Sequence, residues 1–193
     1  WIIPIEPAGV TLSGHALAVD AGCILALLPD EEARQRYRPR QTMDLPGQVL
    51  LPGLINLHTH AAMSLLRGYA DDLPLMRWLS ERIWPAEAGH ATPDFVHAGT
   101  LLACAEMLRG GITTFNDMYF FPEAAARAVL ASGMRAVIGL AVLEFPTAYA
   151  SSADDYLSKG LAARDALRGK PLLHFALAPH APYTVSDRSF EQI

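Results

Sequence analysis

Short apolar strands alternate with helices from residue 50 to the end of the chain, and this alternation constrains the fold most. The predicted strands cover residues 49–57, 112–115, 135–143 and 172–178. The predicted helices cover residues 65–87, with interruptions near Pro74 and Pro85, and then 93–109, 123–131, 154–167 and a start at Ser186. Strands joined by helical crossovers pair in parallel. We therefore predict an α/β fold with a parallel sheet.

The last predicted strand separates its side chains by size. Small side chains occupy one face at Ala176 and Ala178, and bulky ones occupy the other at Leu173, Phe175 and Leu177. A crowded barrel interior suits the small face, and packing against helices suits the bulky face. Residues 50–193 supply four of the eight strands of a (β/α)8 TIM barrel, so we predict its first half. A doubly wound open sheet is the alternative, but no glycine-rich phosphate loop follows the first strand.

Residues 1–49 are predicted to be rich in β-structure. A short strand is predicted at Trp1–Pro7, and His15–Val19 with Cys23–Leu28 predicts a hairpin with glycine in its loop. Asp30–Tyr37 is predicted to form one or two helical turns, because acidic residues come first and arginines later. The chain thus divides into a β-rich segment, 1–49, and a βα segment, 50–193.

Composition excludes several classes of protein. The chain is 51% hydrophobic and 18% charged, with a formal net charge of −5. No cluster of Lys and Arg offers the footprint of a nucleic-acid binder, and no apolar run reaches the length of a membrane span. Neither a signal peptide nor a disulfide framework is evident. We expect no nucleic-acid or membrane partner and a cytoplasmic location, and the sequence is compatible with a homo-oligomer.

Two histidines end the first strand of the βα segment. Side chains alternate along a strand, so His58 and His60 should face the same side and could share one metal ion. Two surface histidines in a turn are the alternative. The preceding strand is too apolar for us to expect it at a surface, and Pro52-Gly53 breaks its start. We therefore predict a metal site at this strand end.

The other predicted strands also end in polar residues. The strand ends are His58 and His60, Asn116-Asp117, Leu143-Glu144 and His180. In a barrel, the site lies at the C-terminal ends of the strands. We therefore expect these side chains to gather at one end of the sheet, with Asp117 holding a loop there through hydrogen bonds.

Several motifs carry a resemblance to a known family. They are Leu51–His60, Leu65–Gly68, Trp84–Glu87, Gly111–Tyr119 and Pro179–Tyr183. Together they resemble the amidohydrolase superfamily, and more narrowly the 5-methylthioadenosine/S-adenosylhomocysteine deaminases and their TRZ/ATZ chlorohydrolase relatives. The resemblance spans the whole chain. It implies that residues 1–49 are the N-terminal part of a small β-sandwich domain and that residues 50–193 are the first four βα units of a metal-dependent barrel.

The resemblance also implies a chemistry. His58 and His60 would be two ligands of one divalent ion, zinc or iron, which activates a water for attack on C6 of an adenine nucleoside. The remaining metal ligands and the catalytic acid and base would come from strands beyond Ile193. Two ligands are fewer than the three that catalytic zinc usually has. We therefore predict that residues 1–193 alone contain no catalytic residue and are inactive.

The resemblance implies substrate contacts as well. Glu87 would accept hydrogen bonds from the ribose hydroxyls, because an ionised carboxylate is purely an acceptor. His180 would lie near the nucleobase or the activated water. Trp78 and Met63 are candidates for the apolar wall of the pocket. The structural alternatives are a solvated helix end for Glu87, a hydrogen-bonded barrel-rim histidine for His180 and core packing for the other two.

Substrate choice is predicted from an absence of arginine. Family members that accept the amino-acid tail of S-adenosylhomocysteine can offer arginine after the third strand. Residues 139–147 contain none, and Arg164 lies well into the next helix. We therefore expect 5'-methylthioadenosine or adenosine to be preferred over S-adenosylhomocysteine.

Three other functions stay open. A guanine-type deaminase or a chlorohydrolase of the same superfamily would not need Glu87 for a ribose. A binuclear hydrolase would need a carbamylated lysine at the end of the fourth strand, but Lys170 precedes that strand. A degenerate barrel without catalytic function is the third alternative, and the residues that would exclude it belong to later strands.

Overall fold

The structure is a computed structural model that describes residues 1–193. It divides into two compact units, Trp1–Gly53 and Leu54–Ile193. The assignment of residues 1–49 to a small β-sandwich domain stays a prediction. None of the helices combines the length and apolarity needed to cross a membrane.

The first unit contains one hairpin and one short helix. Strands β1 (His15–Asp20) and β2 (Cys23–Pro29) pair antiparallel, as predicted. The two loop residues, Ala21 and Gly22, have φ of 48° and 78°. Two successive left-handed residues match the twist of a hairpin, and glycine adopts that conformation without a Cβ penalty. Helix α1 (Asp30–Arg36) follows directly, also as predicted.

The predicted strand at Trp1–Pro7 is wrong. Only Ile2 pairs in this segment, through one bridge to Leu12 and one to Leu50. The segment contains two prolines, which lack the N–H group that a ladder requires, so pairing does not extend beyond that residue.

The second unit is a four-stranded sheet with helices between its strands. Its strands are β3 (Leu54–Thr59), β4 (Ile112–Tyr119), β5 (Arg135–Val142) and β6 (Leu173–Pro179). Its longer helices are α4 (Pro93–Arg109), α5 (Pro122–Ser132) and α6 (Ala153–Ala166), and α7 (Asp187–Gln192) follows β6. The strands lie in the order β3-β4-β5-β6 and are all parallel, which confirms the prediction.

Helix α4 shows how local sequence sets the helix ends. Thr92 lies just before the helix and its Oγ1 accepts a hydrogen bond from the Phe95 N–H at 3.2 Å. Pro93 occupies the first turn, where a missing N–H costs nothing. This start is the predicted one. The helix then packs on the sheet through a buried core that includes Val96 and Cys104, together with Phe115 of β4.

Helical structure between Leu75 and His90 continues past Pro85. Helix α2 (Leu75–Trp78) passes into a π-helical segment, Leu79–Ile83, and then into α3 (Trp84–His90). The predicted helix before Pro74 is wrong, because residues 67–74 form turns and bends and α2 begins only after that proline. The predicted break near Pro85 is wrong. The wider π-turn comes directly before the proline, which therefore lies in the first turn of α3.

Strand β3 differs from expectation in position and exposure. It begins at Leu54 rather than residue 49, after Pro52-Gly53. The expectation that it is too apolar for a surface is wrong in this chain, because Leu57 is 74% exposed. Its one neighbour is β4, so the other edge is open. His174 of β6 is exposed as well, so the face with the smaller side chains is open to solvent.

Helix α4 approaches the segment after β3 closely at one glycine. A Cβ added at Gly99 would overlap the backbone carbonyl of Ala62. Ala62 belongs to a 3-10 helix, Ala61–Leu66, that starts directly after His60. The missing side chain at Gly99 therefore lets α4 support the segment that follows the histidine pair.

Candidate active site

The C-terminal ends of the four parallel strands meet at one edge of the sheet. His58 lies in β3 and His60 follows its last residue, whereas His180 follows β6. Strand β4 continues to Tyr119, so the prediction that it ends at Asn116-Asp117 is wrong. The extension occurs because β4 pairs with β5 from Thr114 to its last residue, Tyr119, which lies opposite Leu140.

The two histidines of the predicted metal pair lie side by side. The ring centroids of His58 and His60 are 5.0 Å apart and the rings are nearly perpendicular, at 83°. His60 Nδ1 lies 2.8 Å from the carbonyl oxygen of Met118. A carbonyl can only accept, so Nδ1 carries the proton and the lone pair is on Nε2. This arrangement is typical of a histidine that is oriented for a metal ion.

Asp117 holds the backbone on both sides of His60. Its Oδ1 accepts hydrogen bonds from Thr59 Oγ1 at 2.8 Å and from the Ala61 N–H at 2.7 Å. The side chain is only 3% exposed. Burial raises the pKa of its carboxyl group, and the hydrogen bonds from Ala61 and Thr59 oppose that rise. The predicted loop-holding role of Asp117 matches these contacts.

Glu87 lies on α3 and reaches the end of β4. Its Oε1 accepts a hydrogen bond of 2.7 Å from the hydroxyl of Tyr119, which is 7% exposed. Burial raises the pKa of Glu87, whereas the Tyr119 hydrogen bond and the charge of His60 lower it. Glu87 is therefore a half-buried carboxylate within the electrostatic reach of His60, with Oε2 left as an acceptor.

His180 is held by a threonine in its own loop. Its Nδ1 lies 2.8 Å from Thr184 Oγ1, and that hydroxyl donates to the carbonyl of Ala181 at 3.2 Å. The hydroxyl has one proton, so when it donates to Ala181, His180 Nδ1 donates to the hydroxyl oxygen and Nε2 is free to accept. Burial, followed by the charge of His60, lowers the pKa of His180. The charge of His60 thus acts on both Glu87 and His180.

Trp78 and Met63 line a different concavity. Both contribute to a cavity of about 310 Å³, together with Tyr69 and Ile83. Neither the histidines nor Glu87 line this cavity. Met63 also packs against the buried core of the second unit, as the structural alternative predicts. The assignment of Trp78 and Met63 to substrate binding stays a prediction.

The donors present fit part of a zinc site. Imidazole nitrogen is a preferred zinc ligand, and His60 presents an unprotonated Nε2 next to His58. No group of three or more His, Cys, Asp or Glu side chains is close enough to hold a metal ion. A catalytic zinc usually has three protein ligands. The two imidazoles alone are therefore fewer ligands than a catalytic zinc site usually has.

Two residues of this site were not predicted. Tyr119 belongs to one of the family motifs, but the sequence indicates no role for it, because the predicted strand ends before it. A longer strand would have placed it at the functional end of the sheet. Thr184 carries no signal in the sequence, since its contact with His180 depends on the path of a loop.

A half barrel with histidines at the end of its first strand defines the class of protein. The sequence matches the Amidohydrolase family over residues 49–193. The chain therefore belongs to the amidohydrolase family. Its parallel sheet is the first half of the barrel of that family.

Three relatives show how far the similarity extends. The chain is 49% identical over its whole length to a 5-methylthioadenosine/S-adenosylhomocysteine deaminase of Saccharophagus degradans, of which it covers 43%. It is 45% identical over 172 residues, 89% of the chain, to a 5'-deoxyadenosine deaminase of Methanospirillum hungatei, of which it covers 38%. An adenosine deaminase structure from Xanthomonas campestris with bound zinc matches all of the chain and 44% of its own, with a TM-score of 0.96 and 50% identity. The chain thus spans less than half the length of these relatives.

Proposed function

We propose that the full-length protein carrying this chain is a metal-dependent hydrolase that deaminates an adenine nucleoside to its inosine analogue and ammonia. The observation that carries the proposal is the gathering of two metal-type imidazoles, Glu87 and His180 at one end of the sheet, with acceptor atoms left free. The names of the relatives support an adenine nucleoside, such as 5'-methylthioadenosine or adenosine.

We assign His58 and His60 to one divalent ion, with zinc as the first choice and iron as the alternative. Imidazole ligands suit zinc, and zinc is bound in the similar structure from X. campestris. The ion supplies an activated water for hydrolytic attack. Asp117 and the Met118 carbonyl serve this site by fixing the position and tautomer of His60.

Glu87 is assigned to the ribose hydroxyls of the nucleoside. Tyr119 occupies Oε1, and Oε2 can accept from a hydroxyl. Partial burial strengthens such a hydrogen bond, because competing water is reduced. His180 is assigned to the nucleobase or the attacking water, since its neutral Nε2 can accept a hydrogen bond from either.

The 5' substituent is proposed to be small and uncharged. At the end of β5, the ring of Phe145 lies 5.9 Å from that of Trp84, which is three residues before Glu87 on α3. Residues 139–147 contain no arginine, and Arg164 lies near the end of α6, where it pairs with Asp165. An apolar wall without a free arginine favours 5'-methylthioadenosine or adenosine over S-adenosylhomocysteine.

Ammonia release from a set of substrates tests the proposal. The zinc-loaded full-length protein is assayed with 5'-methylthioadenosine, adenosine, S-adenosylhomocysteine and guanine. We expect release from the first two, less from the third and none from guanine. Equal kcat/KM values for 5'-methylthioadenosine and S-adenosylhomocysteine would contradict the substrate preference, and release from guanine alone would contradict the nucleoside assignment.

The Glu87→Gln variant separates the proposal from its nearest rival. It should reduce nucleoside turnover but spare a free base, because only the nucleoside has ribose hydroxyls. A guanine-type deaminase or a chlorohydrolase would keep its activity in this variant. The binuclear alternative is not supported by Lys170, which lies before β6 and so at the opposite end from His180. No ammonia from any substrate would favour the degenerate barrel.

A further inference from the structure

The loop that carries His180 is fastened to the end of β5. The His180 N–H donates to the Val142 carbonyl at 3.2 Å, and the Glu144 N–H donates to the Thr184 carbonyl at 3.0 Å. These bonds continue the pairing of β5 with β6 beyond the last strand residues. The loop after β6 is therefore positioned by a neighbouring strand as well as by its own sequence.

The Glu144 side chain holds the far end of the same loop. Its Oε1 accepts hydrogen bonds from the Ser186 N–H at 3.0 Å, from Ser186 Oγ at 2.6 Å and from Ser189 Oγ at 2.7 Å. Ser186 is the N-cap of α7, and Ser189 is buried in that helix. These bonds lower the pKa of Glu144 to about 2, so the carboxylate is ionised at neutral pH. One anion thus fixes the point where the loop ends and α7 begins.

Thr184 links this anchor to the imidazole. Its backbone carbonyl accepts from the Glu144 backbone N–H, and its hydroxyl accepts from His180 Nδ1 while donating to the Ala181 carbonyl. The threonine is buried, so it has little freedom to rotate to another partner. The Glu144 carboxylate acts on Thr184 through the chain itself, because it fixes Ser186, two residues further on. The tautomer of His180 in turn depends on where the Thr184 hydroxyl lies.

We propose that Glu144 is a positioning residue for His180, which acts through Thr184 to hold the imidazole with Nδ1 protonated and Nε2 free. The functional importance of this arrangement rests on the proposed function, in which His180 meets the substrate or the attacking water. The contacts themselves do not depend on that function and can be tested separately.

Kinetic measurements on the full-length enzyme test whether the position of His180 matters for function. Glu144→Ala and Thr184→Val should each lower kcat/KM for 5'-methylthioadenosine by about 10- to 100-fold, because a misplaced catalytic group costs that much. Glu144→Gln keeps an acceptor oxygen at the same place and should stay within about threefold of the wild type. Asp187→Asn removes an exposed charge from the first turn of α7 and serves as the matched control, with no change expected.

The double variant Glu144→Ala/Thr184→Val distinguishes a shared pathway from two independent lesions. Because both residues act on His180, the double variant should be little worse than either single variant. Bound metal per chain should stay unchanged in all variants. Multiplicative losses, or wild-type activity in both single variants, would overturn the proposal.

Nitrogen NMR of histidine-labelled full-length protein tests the chain of contacts without any assay of activity. The His180 signals are assigned by their loss in His180→Asn. In the wild type and Asp187→Asn, Nδ1 should be protonated and Nε2 unprotonated, whereas Glu144→Ala should show a mixture of tautomers. An unchanged tautomer in Glu144→Ala would overturn the positioning role. The expected tautomer change in a protein without deaminase activity would instead contradict only the proposed function.

Discussion

The hydrogen bond from Tyr119 orients the Glu87 carboxylate. The Tyr119 hydroxyl donates to Oε1 and so leaves Oε2 as the acceptor that faces other partners. The same bond lowers the pKa of a carboxyl group whose burial raises it. The tyrosine therefore controls both the direction and the ionisation of the residue that we assign to the ribose.

Tyr119→Phe tests this control. The pKa of Glu87 should rise further, because the bond that lowers it is lost while burial remains. We expect KM for adenine nucleosides to rise about tenfold, since a hydrogen bond to a charged group contributes about 1.5 kcal/mol. The fall of affinity on the acid side should also move to higher pH. Tyr37→Phe, in the first unit, is the control, and a loss of kcat with unchanged KM would contradict the prediction.

Acid should weaken the anchor made by Glu144. The hydrogen bonds lower the pKa of Glu144 from an ordinary value of 4.5 to about 2 in the folded state. A lowered pKa stabilises the folded state fully above pH 4.5, and this contribution is lost as the pH falls toward 2. The stability difference between the wild type and Glu144→Gln should therefore shrink from pH 6 to pH 3. Urea denaturation of both proteins measures it, and a constant difference would contradict the assignment.

At the scale of elements, the close contact between α4 and the 3-10 helix depends on Gly99. Gly99→Ala should destabilise the fold by about 1–3 kcal/mol, because the new methyl group overlaps the backbone of Ala62. The variant should also weaken metal binding, since Ala62 lies two residues after His60. Thermal unfolding and a zinc titration measure the two effects.

Gly89 provides the matched control for this substitution. It lies in α3, and a Cβ at that position meets no atom within 4 Å. Gly89→Ala should stabilise the helix by about 0.5–1 kcal/mol, because alanine is the better helix former. Equal effects of the two substitutions would show that close packing at Gly99 is not the cause.

Elements with strong local signals could be predicted from the sequence, but the residues at which they end could not always be predicted. Helix α4 begins where Thr92-Pro93 predicts, because capping is a local interaction. Strand β4 exceeds its predicted length, because pairing with β5 decides where it ends and that pairing involves distant residues. In the candidate site, too, local features could be predicted and contacts that depend on the folded chain could not. The His58–His60 spacing is local and was recognised, whereas the contact of Thr184 with His180 requires the folded loop.

At the scale of the whole molecule, the chain provides one half of a barrel and the two imidazoles that we assign to a metal ion. No third His, Cys, Asp or Glu side chain is close enough to complete that site. Residues 1–193 alone, supplied with zinc, should therefore release no ammonia from 5'-methylthioadenosine. A coupled ammonia assay measures this, with the full-length protein as the positive control. Any rate above that of the buffer would contradict the prediction.

In the π-helical segment Leu79–Ile83, the number of residues matters more than which residues they are. Consecutive residues of an α-helix are rotated by about 100° around the axis. Removal of one residue from the segment would turn every following side chain by that angle, while the residues themselves stayed the same. Glu87 would then point away from Tyr119 and from the strand ends. The direction of the carboxylate that we assign to the ribose therefore depends on the number of residues in the helical segment before it.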